Sequence, residues 1–210
     1  MLSSNPSMLC DYADAFAFLG NSFLAPMSQT ERHGLDPEFW VVFPDFGDSG
    51  VECAIGQCLG FAKLAGDGKC EDDLVQRVSV EYTRLFVRPP RPAVAPWETF
   101  HGPKDAACGF GEPTFAMQRE LAAAGLEVSN ENNQYADHIG IELLLLSELV
   151  RKSAESGDLS EPRRFANERL LPWVGRFAAT VSAEASGGYY AGIAALASSL
   201  CIAFAAHAEG

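Results

Sequence analysis

Positive charge is scarce in this chain: 15 Lys and Arg stand against 28 Asp and Glu over 210 residues, a formal net charge of −13. That balance excludes a nucleic-acid binder, which needs a basic stripe to displace counterions from phosphates. It also disfavours an anionic membrane surface. The six cysteines (Cys10, Cys53, Cys58, Cys70, Cys108, Cys201) form no CxxC and no close Cys/His quartet, so no zinc framework is expected. There is no Walker loop, no Rossmann glycine pattern, no G-x-S-x-G and no HExxH. No Lys or Arg precedes the first apolar stretch, and Asp11 and Asp14 interrupt it, so it does not read as a secretory signal. The cysteines are accordingly expected to be reduced thiols. Strand-type alternation is nearly absent as well.

What remains is a chain that is 48% hydrophobic and 20% charged, enough for one sizeable core. Its apolar residues recur at helical spacing between Pro and Gly punctuation. Asn5-Pro6 offers a cap and a first helical residue, and Met8, Tyr12, Phe16, Leu19 and Phe23 follow until Pro26. Asp36-Pro37 is a second start, and residues 51–65 carry Val51, Ile55, Leu59 and Ala62 on one face. Glu71, Asp72 and Asp73 open a helix that continues through Leu74, Val78, Tyr82 and Leu85. Proline then crowds residues 88–104, which excludes a helix and leaves a long loop.

Helical spacing resumes from Thr114 to Gly125, over 134–152, over 161–183 despite Pro172, and over 188–207. The last stretch has no charge between Glu184 and Glu209 and is long enough to span a bilayer. Its Ala, Ser and Gly content and the lack of flanking Lys or Arg favour a buried helix, with no stable membrane insertion. The expected fold is all-α, a single-domain helical bundle over residues 1–210 with a long Pro-rich loop.

Two local constellations could carry chemistry. His138 and Glu142 are four apart in the 134–152 helix, on one face, but no further metal ligands accompany them. Asp137 and His138 would lie about 100° apart on such a helix, too far round to form an unaided acid–base dyad. Pro96-Trp97-Glu98-Thr99-Phe100 sets a large aromatic beside a carboxylate inside the proline loop. Either Trp97 pins the loop to the core while Glu98 is solvated, or the pair belongs to a surface for an apolar, cationic peptide.

Several separated stretches, taken in order, resemble the TorD/DmsD/NarJ family of cytoplasmic redox-enzyme maturation chaperones. They are Glu81-Tyr82-x-x-Leu85-Phe86 with the loop ending Pro96-Trp97-Glu98-Thr99, then Gly125-Leu126 with Asp137-His138-Ile139-x-x-Glu142-Leu143. Phe165-x-x-x-Arg169-Leu170-x-x-Trp173 follows, before Tyr189-Tyr190 and a small-residue final helix. The resemblance is clear over about 70–207 and rests on helical pattern alone over 1–65. This chain departs from the family in having Ala136 where Pro often precedes Asp-His. Trp97 and Thr99 stand where Tyr and Ser are common, and Arg169-Leu170 where a His-Leu pair is.

The resemblance implies a non-catalytic all-α chaperone of the cytoplasm. It would bind the twin-arginine leader, or the apo catalytic subunit, of a molybdopterin oxidoreductase and hold it for cofactor insertion before export or assembly. No cofactor of its own is expected, and although GTP is linked to some relatives, no phosphate loop is visible here. The residues implied in leader binding are Pro96, Trp97, Glu98, Asp137, His138 and Glu142, with Tyr82 and Leu85 lining the same groove. Relatives sometimes dimerise by exchanging helices, so a domain-swapped homodimer is a further implied state, with the proline loop as hinge. Two alternatives stand beside this: an assembly subunit retained in an oxidoreductase complex, and a metal- or nucleotide-binding helical enzyme.

The charge has the sign a basic leader requires. Before residue 61, eight acids (Asp11, Asp14, Glu31, Asp36, Glu38, Asp45, Asp48, Glu52) face Arg32 alone, a net −7. Exposed ion pairs contribute only about 0.2–1 kcal/mol each, so burial of apolar leader side chains must supply most of the affinity. A His138 titrating near neutral pH would add a positive charge facing a cationic ligand, so acidification is expected to weaken binding through it.

Overall fold

The computed structural model describes residues 6–66, 70–87, 91–102, 110–128 and 134–207. Among them the chain is all-α, with nine α-helices and no strand beyond one isolated bridge. Pro89, Pro90 and Pro103 of the expected loop, and Cys108, lie outside the described residues. The chain packs as two compact units.

The first unit takes Met1–Leu24, Pro96–Val174 and Phe204–Gly210. Its centre is the pairing of α1 (Pro6–Leu24) with α6 (Ile139–Ser156). Both helices need glycine where they cross. A Cβ on Gly20 would lie 2.8 Å from the Gly140 carbonyl oxygen, and one on Gly140 would lie 2.7 Å from that of Gly20. The Ser147 hydroxyl donates to the Ala13 carbonyl at 2.6 Å, and Arg151 pairs with Asp14 at 3.0 Å on the outer side. The helix α6 ends on Gly157, whose φ of +75° makes it a left-handed cap.

Two sequence boundaries move. The helix expected over 134–152 starts only at Ile139, because His138 is its N-cap and residues 134–138 approach it as a turn. The helix expected over 161–183 is interrupted. The helix α7 (Ser160–Phe165) continues as a π turn (Ala166–Leu170), and a turn through Pro172 separates it from α8 (Val174–Glu184). Proline supplies no N–H and its ring clashes with the preceding turn, so the periodicity carried across a break it could not see. The helix α5 (Glu112–Ala123) completes the unit, together with the last turn of α9 (Tyr189–His207). In that turn the Tyr12 hydroxyl lies 2.7 Å from His207 Nδ1.

The second unit takes Ala25–Ala95 and Gly175–Ala203. It contains α2 (Pro37–Val42), capped by Asp36, whose side chain accepts the Glu38 N–H at 2.9 Å. It also contains α3 (Ser49–Gly66), α4 (Glu71–Tyr82) with a π turn to Val87, and most of α8 and α9. Tyr82, Phe86, Phe177 and Tyr190 make its aromatic core. The Glu81 carboxylate caps α9 by accepting the Tyr190 N–H at 2.9 Å. The helix α9 is long and apolar enough to cross a membrane, but 78% of its apolar window is buried within the protein, so it is a core helix.

Candidate functional site

The site belongs wholly to the first unit and is made where the proline loop meets the start of α6. The loop carries Trp97, followed by a 3-10 turn (Glu98–His101). Two main-chain hydrogen bonds fasten it antiparallel to the residues before α6: Glu98 N–H donates to the Asp137 carbonyl at 2.9 Å, and Ile139 N–H donates to the Pro96 carbonyl at 2.8 Å. Trp97 and His138 are therefore directly opposed, with ring centroids 6.0 Å apart and nearly perpendicular.

Asp137 is the clamp. Its carboxylate, fully buried, accepts the Thr99 N–H at 3.1 Å and the Thr99 hydroxyl at 2.6 Å on one oxygen, and the Thr114 hydroxyl at 2.9 Å on the other. Three donors from two other segments thus replace the water it gives up. Asp137 precedes the helix, so the expected 100° separation from His138 does not apply.

His138 caps α6 in place of the usual Ser, Thr, Asp or Asn. Its Nδ1 accepts the Gly140 N–H at 3.0 Å, which assigns the proton to Nε2. Burial drives its pKa down to about 3. A cation here would also face the positive end of the helix and lose its cap bond. The expectation that His138 titrates near neutral pH is therefore corrected: it is a neutral capping group throughout the physiological range.

Glu142, one turn on, is fully buried and accepts the Trp173 indole N–H at 3.1 Å through Oε2. Burial, with the nearby Glu98 adding to it, pushes its carboxyl well above the usual range. Glu98 is not solvated. It is tied to Arg169, which also donates to the Pro113 carbonyl at 3.2 Å, and both charged side chains are only 14% exposed. Burial raises the Glu98 carboxyl, against the opposing pull of Arg169. His101 stacks on Trp173 with centroids 5.2 Å apart and rings 28° from parallel. Several buried polar atoms have no hydrogen-bond partner: Trp97 Nε1, Gln134 Oε1, His138 Nε2, Glu142 Oε1 and Arg169 Nε.

Pro96, Trp97, Glu98, Asp137, His138 and Glu142 are thus brought together. Tyr82 and Leu85, expected in the same groove, belong to the second unit, where they are 3% and 0% exposed. The spacing of the sequence missed Thr99, Thr114, Arg169 and Trp173 as members. Thr99, Arg169 and Trp173 lie inside the stretches that carry the resemblance, but their partners are distant in the chain, so no local signal marked them as site residues. Among the described residues no group of three or more His, Cys, Asp or Glu is arranged to hold a metal. The Thr99 and Thr114 hydroxyls beside Asp137 are themselves buried and spend their protons on its carboxylate, which makes them a clamp.

Among the described residues, the site is an aromatic loop clamped by main-chain bonds and by the buried Asp137 carboxylate to the start of an all-α unit. The family model described as nitrate reductase delta subunit matches residues 48–179, and the chain belongs to that family. The chain is also similar to proteins named chaperone protein TorD. It is 26% identical to that of Vibrio vulnificus over 125 residues, covering 56% of this chain and 58% of the relative. It is 25% identical to that of Vibrio atlanticus over 138 residues (62% and 63%) and 27% identical to that of Shewanella pealeana over 131 residues (60% and 58%). The matched stretch thus spans under two thirds of these relatives' own length. The family match begins at residue 48, earlier than the motifs from about residue 70 suggested.

Proposed function

We propose that this protein is a non-catalytic cytoplasmic chaperone that binds the leader peptide, twin-arginine in type, or the apo form of a molybdopterin oxidoreductase, and holds it for cofactor insertion. Membership of the family and likeness to chaperones named TorD support the class of activity. The observation that carries the binding site is the pair of main-chain bonds that hold Trp97 against His138, with Trp97 only partly buried. A rigid indole at a partly wet position loses little freedom when a peptide covers it. Asp137, His138 and Glu142 are buried, so their part is to position the loop.

Affinity purification of the chain from its own cells tests this: a molybdopterin oxidoreductase lacking its cofactor should co-elute. Stoichiometric retention with the finished, cofactor-loaded enzyme would instead make the chain an assembly subunit, the reading that the family description favours. At the residue level, Trp97→Ala should weaken leader binding by about 1–3 kcal/mol, more than Glu98→Gln does. Glu98 is already paired with Arg169, so its loss acts only by loosening the loop. Titration calorimetry with a leader peptide at physiological salt measures the order.

A further inference from the structure

Among the described residues, four aromatic side chains are exposed: Phe100 at 47%, Phe110 at 43%, Phe115 at 44% and Tyr135 at 45%. All four lie in the first unit and form one connected chain of rings through Trp97. Trp97 is 5.9 Å from Phe100 and 6.1 Å from Tyr135, Tyr135 is 5.6 Å from Phe110, and Phe110 is 4.9 Å from Phe115. At a little under half exposure each, these rings leave roughly 300–450 Å² of apolar surface in one place, the size at which a patch is often functional. A cavity of about 340 Å³ adjoins them, lined by Phe110, Tyr135, Leu121, Leu126 and Gln134.

The polar groups here say what covers the face. Gln134 lines the cavity with its buried Oε1 unpaired, and the Trp97 Nε1–H is also buried without a partner. One unpaired acceptor in the cavity and one unpaired donor in the chain of rings, both buried in the free protein, match the N–H and C=O of a polypeptide main chain once the two side chains turn outward. Among the described residues, Glu98 is tied to Arg169, Asp137 to Thr99 and Thr114, and Glu112 to Arg119, and Glu127 is the one carboxylate lining the cavity.

We infer that this aromatic face is the docking site for an uncharged apolar segment of a client polypeptide, and that it does not read an arginine pair. The inference rests on the chaperone reading and assigns to it Phe100, Phe110, Phe115, Tyr135 and Gln134, none of which the leader-binding motifs include. The apolar segment seats its side chains on the rings and in the cavity, while Gln134 Oε1 accepts a main-chain N–H and Trp97 donates to a carbonyl.

The test uses two fluorescent synthetic peptides that share one Leu/Ala/Phe segment of eight residues, one opening with Arg-Arg and the other with Gln-Gln. Both should bind the full-length chain with dissociation constants within about threefold, and the Gln-Gln peptide should lose under threefold between 50 and 300 mM salt. Phe110→Ser with Phe115→Ser should weaken both peptides tenfold or more, and Gln134→Leu should weaken both severalfold. Val42→Ser, at an exposed apolar position of the second unit, should leave both unchanged. Unchanged peptide affinity in the Phe110→Ser/Phe115→Ser variant overturns the inference, as does failure of the Gln-Gln peptide alone. Loss of a self-association by that variant with peptide binding intact overturns it in favour of a second copy as occupant. The same variant applied to the client pull-down separates the two readings: if the client still co-elutes at full yield, the chaperone reading stands and this site falls.

Discussion

His138 and Glu142 sit one helical turn apart, both fully buried, and titrate in opposite senses. The folded pKa of His138 is depressed to about 3, so its contribution to stability is complete above the unfolded value near 6.5 and is lost as pH falls. At pH 5 that loss amounts to about 2 kcal/mol, from about 1.5 pH units at 1.36 kcal/mol each. The folded pKa of Glu142 is raised, so its contribution is complete below the unfolded value near 4.5 and is lost as pH rises. The two slopes have opposite signs in the native chain, and single substitutions should expose each one. His138→Asn keeps a capping acceptor for Gly140 N–H, and its stability should rise as pH falls from 7 to 5. Glu142→Gln keeps an acceptor for Trp173 and should lose about 2 kcal/mol over the same range through His138, while at pH 8 it should be more stable than native because it has no buried carboxyl to ionise. Urea titrations at pH 5, 6, 7 and 8 measure both, and parallel pH curves for the two variants would refute the assignment.

At the scale of elements, the crossing of α1 and α6 sets the position of His138 and so of the loop. Gly140→Ala would gain in helix propensity but drive a methyl to 2.7 Å from the Gly20 carbonyl, backbone against backbone. No side chain can swing away from that contact, so the substitution should destabilise by about 1–3 kcal/mol or more. Gly60→Ala, within α3 and with nothing within 4 Å of its Cβ, should instead stabilise by about 0.5–1 kcal/mol. Chemical denaturation of the two variants reads the sign directly. Most helices were legible in the sequence, because a 3.6-residue period and proline starts such as Asn5-Pro6 and Asp36-Pro37 are local signals. The start of α6 was not. Asp137 and His138 look helical in register until Thr99, Thr114 and the Gly140 N–H claim their side chains, and those partners, apart from Gly140, are 38 and 23 residues away. Pairing of Glu98 with Arg169, 71 residues on, was hidden for the same reason. Chain-distant hydrogen bonds, unlike periodicity, leave no trace in a local window.

At the scale of the whole molecule, neither unit is a continuous stretch of chain. The chain passes between them four times, after Leu24, Ala95, Val174 and Ala203, and both α8 and α9 contribute residues to each. In the first unit the Ser147–Ala13 bond closes 134 residues, so α1 cannot find α6 until the whole of residues 25–95 has been looped out. No contiguous fragment contains either core, so residues 1–210 are expected to unfold as one domain in one transition. The tryptophans make this measurable, because Trp97 and Trp173 report on the first unit and Trp40 on the second. Trp40→Phe silences the second unit, and Trp97→Phe with Trp173→Phe silences the first. Urea midpoints corrected for each variant's own far-ultraviolet circular dichroism transition should coincide between fluorescence and dichroism in both proteins. A fluorescence midpoint well below the dichroism one in either variant would mean that its unit melts alone. A peptide released by such local melting would then leave without unfolding the rest, a behaviour that a single cooperative domain forbids.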